Sequence, residues 1–160
     1  MSDDLLPRPV PQGGPAVERA LRRWQQQAEL GGGEAARCLA AVEADPGQKA
    51  LLTGILAASP FLTECVLAEP GVLLALLEQG PAAAHALLLA ALAAVPVQDR
   101  TRLMAALRRL RRRQALLIAW CDLAGWWTVE QVTAALTQLA DGAVQRCLEH
   151  LVLEGARRGE

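Results

Sequence analysis

LRRLRRRQALLIAWCDLAGWW, residues Leu107 to Trp127, joins an arginine-dense segment to an almost wholly apolar one and closes around Gly125. At 100° per residue, Leu103, Ala106, Leu107, Leu110, Leu117, Cys121 and Ala124 fall in a band about 120° wide, the core-facing stripe of a helix over about Gln98 to Ala124. Arg108 and Arg112 lie opposite that stripe, and Arg109, Arg111 and Arg113 flank it. Beyond Gln114, which sits inside the stripe, the back face changes character: Leu116, Ala119 and Trp120 stand where a solvated helix carries charge. That half calls for a cover, supplied by the last helix of the domain or by a surface outside the chain.

On the C-terminal side, Thr128, Val129, Glu130 and Gln131 form a capping box that starts a final helix running to about Leu153. Val129, Val132, Leu136, Leu139, Ala143, Cys147 and Leu151 share one of its faces, and their spacing of threes and fours predicts antiparallel packing on the arginine-bearing helix. Gly142 weakens the middle by about 1 kcal/mol relative to Ala, a cost that a close helix crossing explains. On the N-terminal side, helices are expected over Pro15 to Leu30, Glu34 to Ala44 and Gln48 to Ala58. Three further short ones start at Pro60, Pro70 and Pro81, with Ser59 capping the first. These units share neither length nor pattern, which argues against a regular repeat. The fold class is all-α, an irregular multi-helix bundle with a long C-terminal antiparallel helix pair. Residues 1–14 read as a flexible lead-in, 15–155 as a single helical domain and 156–160 as a tail.

Composition agrees. The 160 residues are 52% hydrophobic but only 3% aromatic, without tyrosine, and Ala and Leu dominate, which favours helices over a β-sandwich. The net charge of −1 gives no global attraction for nucleic acid or an anionic membrane, so any basic feature is local. The N-terminus is acidic and Pro-rich without an apolar signal segment, and the longest apolar run, Ala86 to Val95, is too short to span a bilayer. Both point to the cytoplasm. Cys38, Cys65, Cys121 and Cys147 lie far apart within helical apolar patterns, with no CxxC spacing, and read as buried reduced thiols.

Five arginines within six residues present paired donors suited to the phosphate oxygens of a nucleotide or RNA. Their angular spread and the lack of interleaved aromatics place nucleic acid last, behind a solvated or internally salt-bridged face and behind a protein-partner contact. On the solvated reading, loss of Arg112 alone barely changes stability. Gln114 is expected to be satisfied by a neighbouring helix's backbone or a water, and Asp122 by an arginine of another helix. Trp120, Trp126 and Trp127 cluster at the turn, more a core beneath a loop than an exposed patch. No GxGxxG, GxxxxGK[ST], GxSxG or HExxH motif is present. The candidate interface is Arg108, Arg109, Arg112, Leu116, Trp120, Asp122, Trp126 and Trp127, and no catalytic, cofactor-binding or metal-binding residue is assigned.

Four segments, taken in order, resemble the N-terminal region of the bifunctional glutamine-synthetase adenylyltransferases. They are SPFL (Ser59 to Leu62), EPGVLLALL (Glu69 to Leu77), RRLRRRQALLIAWCDLAG (Arg108 to Gly125) and LADGAVQRCLEHL (Leu139 to Leu151), within a match from about Leu51 to Leu153. The resemblance implies a parent bacterial nucleotidyltransferase that adds AMP to glutamine synthetase from ATP and removes it by phosphorolysis, under control of glutamine and the signalling protein PII. It implies a non-catalytic helical segment supporting an adjacent nucleotidyltransferase domain, whose loop and Mg-binding aspartates are expected beyond Glu160. Mg and ATP or ADP then belong to the parent, and this chain alone is expected to be inactive. The alternative is a free-standing helical protein-interaction module.

Overall fold

A computed structural model describes residues 14–31 and 33–159 of the chain. The lead-in expected over residues 1–14 lies outside them, apart from Gly14. The described residues form eight helices and no strand: α1 (Pro15–Gly31), α2 (Gly33–Glu43), α3 (Pro46–Ala58), α4 (Pro60–Ala68), α5 (Pro70–Gln79), α6 (Pro81–Ala93), α7 (Arg100–Leu123) and α8 (Val129–Arg158).

Proline sets most of the starts, because its missing N–H falls where a helix has no acceptor to offer. Ser59 caps α4 as expected, accepting from the Leu62 N–H at 3.2 Å. The start of α3 lies two residues earlier than periodicity gives. Asp45, which falls in the gap between the expected second and third helices, is its cap and accepts from the N–H groups of Gly47 at 2.7 Å and Gln48 at 3.2 Å.

The arginine-bearing helix α7 is the axis of the molecule and packs against α4, α5, α6 and α8. Leu103, Leu110, Leu117 and Cys121 of its stripe are buried, and Ala106, Leu107 and Ala124 are half-buried. A second layer forms where α1 meets α2, α3 and α4, with Val17, Trp24, Cys38, Val42, Leu52 and Ile55 in the core. Each large side chain buried this way contributes about 1.5–3 kcal/mol.

α7 ends at a tight turn. Gly125 takes φ 68, and the N–H groups of Trp126 and Trp127 both donate to the Cys121 carbonyl, at 2.8 and 3.2 Å. The capping box at Thr128 is present, with Gln131 Oε1 accepting from the Thr128 N–H at 2.8 Å and Thr128 Oγ1 from the Gln131 N–H at 3.4 Å. α8 returns antiparallel to α7: Gln114 reaches Ala135 near one end of α8, and Arg157 reaches Gln98 at the other. It runs five residues past the expected end, with Arg157 and Arg158 in its last turn, where cations suit the helix dipole.

No single helix among the described residues is long and apolar enough to cross a membrane. α4 and α5 form an apolar pair, but they are bent by 80° and bury Cys65, Val66, Leu73 and Leu76 in the core.

Candidate functional site

The bend between α4 and α5 is where the arginines converge. Glu69 occupies it in a non-helical conformation (φ −133°, ψ 51°), its N–H donating to the Cys65 carbonyl at 3.0 Å and its carbonyl accepting from Val72 at 3.2 Å. Pro70 begins α5 immediately afterwards, so the backbone turns and the Glu69 side chain is driven into α7. Its carboxylate is only 2% exposed. Arg113 Nε donates to Oε2 at 2.7 Å, Arg109 Nε to both oxygens at 3.0 and 3.2 Å, and Arg112 Nη2 to Oε1 at 3.3 Å. Burial alone pushes this carboxyl up, but the hydrogen bonds and charges of Arg113 and Arg109 outweigh it and hold it below its ordinary value.

The sequence pointed to the arginines and missed their acceptor. Glu69 is the one acid within VLAEPGVLLALL, an isolated charge at a helix junction in an apolar run, and that was the available signal. Wheel angles had set Arg112 opposite the core and Arg109 and Arg113 on its flanks. Their long side chains nevertheless wrap to one point, because the α4–α5 corner stands beside α7. Arg108 and Arg111 remain exposed, and neither has an ion-pair partner among the described residues. The basic face is therefore partly an internal salt-bridge cluster and partly open.

The apolar half of α7 requires a correction. Leu116 and Trp120, taken as candidate interface, are fully buried. The domain itself supplies their cover, and the Trp120 Nε1 donates to Gln48 Oε1 on α3 at 2.8 Å. A side chain enclosed in this way touches no partner without unfolding. Gln114 finds the expected neighbouring backbone with half of its amide, its Nε2 donating to the Ala135 carbonyl of α8 at 3.2 Å, while its buried Oε1 has no partner among the described residues. Asp122 is exposed, with no side-chain partner among the described residues, so the expected arginine pairing is absent. Trp126 is 40% exposed. Trp127 is half-buried and meets the His85 ring edge-on at 5.5 Å, and burial depresses the His85 pKa.

The largest departure concerns α8. Of the face expected to turn inward, Val129, Leu136 and Leu151 are exposed by 52–74%, and Val132, Leu139, Ala143 and Cys147 are half-buried. The buried positions are Ala135 and His150, with Gly142 between them. Close approach decides this rotation: a Cβ at Gly142 would overlap the Leu92 side chain of α6, so α8 crosses α6 on its smallest residue. Polar bonds hold the same side. Arg146 donates to the Ala93 carbonyl at 3.1 Å, His150 Nδ1 meets the Val97 carbonyl at 2.6 Å, and Arg157 donates to that of Gln98 at 3.3 Å. Outward there remains a row of large apolar side chains: Val129, Leu136, Val144, Leu148, Leu151 and Val152. These positions recur at helical spacing on one side of a helix about 45 Å long.

Cys38, Cys65 and Cys121 are buried free thiols and Cys147 is half-buried. Burial, with some help from the Glu78 charge, raises Cys38 to about 12, and burial raises Cys121 to about 12, so both stay protonated and pack as small apolar groups. Among the described residues no group of three or more His, Cys, Asp or Glu is placed to hold a metal ion.

The family model for glutamate-ammonia ligase adenylyltransferase matches residues 49–159, from α3 to the end of α8. A bifunctional glutamine synthetase adenylyltransferase/adenylyl-removing enzyme of Bradyrhizobium diazoefficiens is 39% identical over 145 residues, 89% of this chain and 14% of that protein. Proteins of the same name from Rhodopseudomonas palustris strain BisB5 and Xanthobacter autotrophicus are 43% identical over 110 residues and 36% identical over 156. Those alignments cover 68% and 97% of this chain, but 11% and 16% of the relatives. The chain thus spans about one seventh of the length of the curated relatives it matches. No solved structure matches it.

Proposed function

The chain belongs to the glutamate-ammonia ligase adenylyltransferase family, and from that premise we propose that it is a non-catalytic helical segment that docks on a nucleotidyltransferase domain and supports it in regulating nitrogen assimilation. The observation that carries this reading is the outward row of α8. Six large apolar side chains exposed along one helix point to a contact surface. α8 is stitched to the rest of the bundle along its other side, so the row is presented on a preordered surface. In this reading glutamine synthetase and PII meet the assembled cytoplasmic enzyme, and Mg and the nucleotide are held by the catalytic domain.

Two measurements test it. The purified chain is expected to release no AMP from adenylylated glutamine synthetase given phosphate and Mg, and to transfer none from ATP; either activity overturns the non-catalytic reading. The chain is also expected to bind the isolated nucleotidyltransferase region of a family member. Replacing Leu136 and Leu151 together by Asp should weaken that binding by at least about tenfold while helicity stays unchanged. Equal binding by this variant removes α8 as the docking face. Self-association of the chain through the same row, lost in the same variant, favours a free-standing interaction module instead.

A further inference from the structure

We infer that the Glu69 corner is an oxyanion site, in which the outward edges of Arg109, Arg112 and Arg113 take a phosphoryl group, free in solution or carried by a nucleotide. Three guanidiniums surround a single carboxylate, which among the described residues leaves two positive charges uncompensated, the charge of one phosphate monoester dianion. Arg108 and Arg111 add to that local field. Arg109 and Arg113 engage Glu69 only through Nε, and the structure records no hydrogen bond from their Nη groups among the described residues. Each therefore has donors to spare. Arg112 is poorly satisfied: its Nε is shielded from solvent and has no acceptor. An internal clamp needs neither this excess of charge nor this excess of donors, because one guanidinium in bidentate contact satisfies a carboxylate.

Glu69 has a definite part in such a site. Buried at the base of the cluster, it fixes three long side chains whose freedom would otherwise be lost only on binding. The guanidiniums grade outward, with Arg113 27%, Arg112 40% and Arg109 59% exposed, so the cluster opens to solvent on the Arg109 side. An anion arriving there meets donors already in place.

The experiment is a titration of inorganic phosphate into the 160-residue chain at constant ionic strength, read by the arginine Nε–H resonances and by the melting temperature. Saturable shifts at Arg109 and Arg113 are expected, together with a rise of several degrees in Tm at saturation. Arg109→Gln, at the most exposed of the three positions, should keep the fold and weaken binding by about tenfold. Glu69→Gln keeps an oxygen acceptor for the guanidiniums but removes the one negative charge in the cluster among the described residues, so it should lower Tm yet tighten phosphate binding several-fold; a purely structural clamp gives no such gain. Arg22→Gln on α1 should change nothing. A ribonucleoside monophosphate and its parent nucleoside separate the sources. Equal affinity of monophosphate and phosphate means that the free ion suffices, and tighter binding of the monophosphate alone assigns the nucleotide. Absence of a saturable response up to ~50 mM phosphate, or an equal response in Arg109→Gln, overturns the site.

Discussion

The α4–α5 corner and the outer side of α8 distribute polarity in opposite ways. At the corner a carboxylate lies almost wholly buried beneath three arginines, and on α8 half a dozen large apolar side chains face solvent. The corner resolves its cost internally, because guanidiniums from a neighbouring helix supply the solvation that water no longer gives. The α8 row has no such partner within the described residues. At one region the buried carboxylate is satisfied inside the fold while its guanidiniums keep outer edges in solvent, and at the other a whole apolar row is left open. Burial, not polarity, separates what holds this bundle together from what it offers to a partner.

The comparison breaks most readily at Glu69. Glu69→Ala leaves three guanidiniums facing one another without their acceptor and should cost about 3 kcal/mol in urea unfolding, moderated by the partial exposure of the arginines. A loss below about 1 kcal/mol would mean that the arginines relax freely into solvent and that the corner is no clamp. Acid reaches the same group without mutation. Since the folded-state pKa of Glu69 lies below its unfolded value, the stabilisation is complete above about pH 4.3 and is lost as pH falls through the folded pKa. Wild type should lose stability with acid in that range more steeply than Glu69→Gln, and parallel profiles would reject the assignment.

Smaller effects sharpen the α8 side. Gly142→Ala improves helix propensity but forces Leu92 aside, and a net loss of about 1 kcal/mol is expected from thermal unfolding. A gain in stability would show that α6 and α8 cross less closely than described. Smallest of all, Leu136→Gln and Leu151→Gln should each stay within about 0.5 kcal/mol of wild type, since neither side chain is covered. Larger losses would place the row in a contact that already exists, such as between copies of the chain.

What the sequence disclosed follows from range. Caps and proline starts act over three or four residues, so Ser59, Thr128 and the α7 stripe were legible, and Asp45 failed only because an aspartate before proline reads equally as a stop. Gly142 as the mark of a close crossing was also legible, since a glycine in the middle of a helix needs a reason. The rotation of α8 was not. Periodicity finds the most apolar face, and here that face is split, with Val132, Leu139, Ala143 and Cys147 half-buried and Val129, Leu136 and Leu151 free, while Ala135, Gly142 and His150 make the closest contact. Nor was the acceptor of the arginines. It lies 40 to 44 residues away in the chain, beyond anything a helical wheel reports.

The three bonds from Arg146, His150 and Arg157 to Ala93, Val97 and Gln98 give α8 a mechanical character. A long rod fastened along one flank to α6, α7 and the connection between them cannot flex independently of them. A push on its free flank is passed to the joint between α6 and α7 and to α7 itself, whose middle carries Arg109, Arg112 and Arg113. The apolar row and the charged corner are thus carried by helices that pack on the same α7.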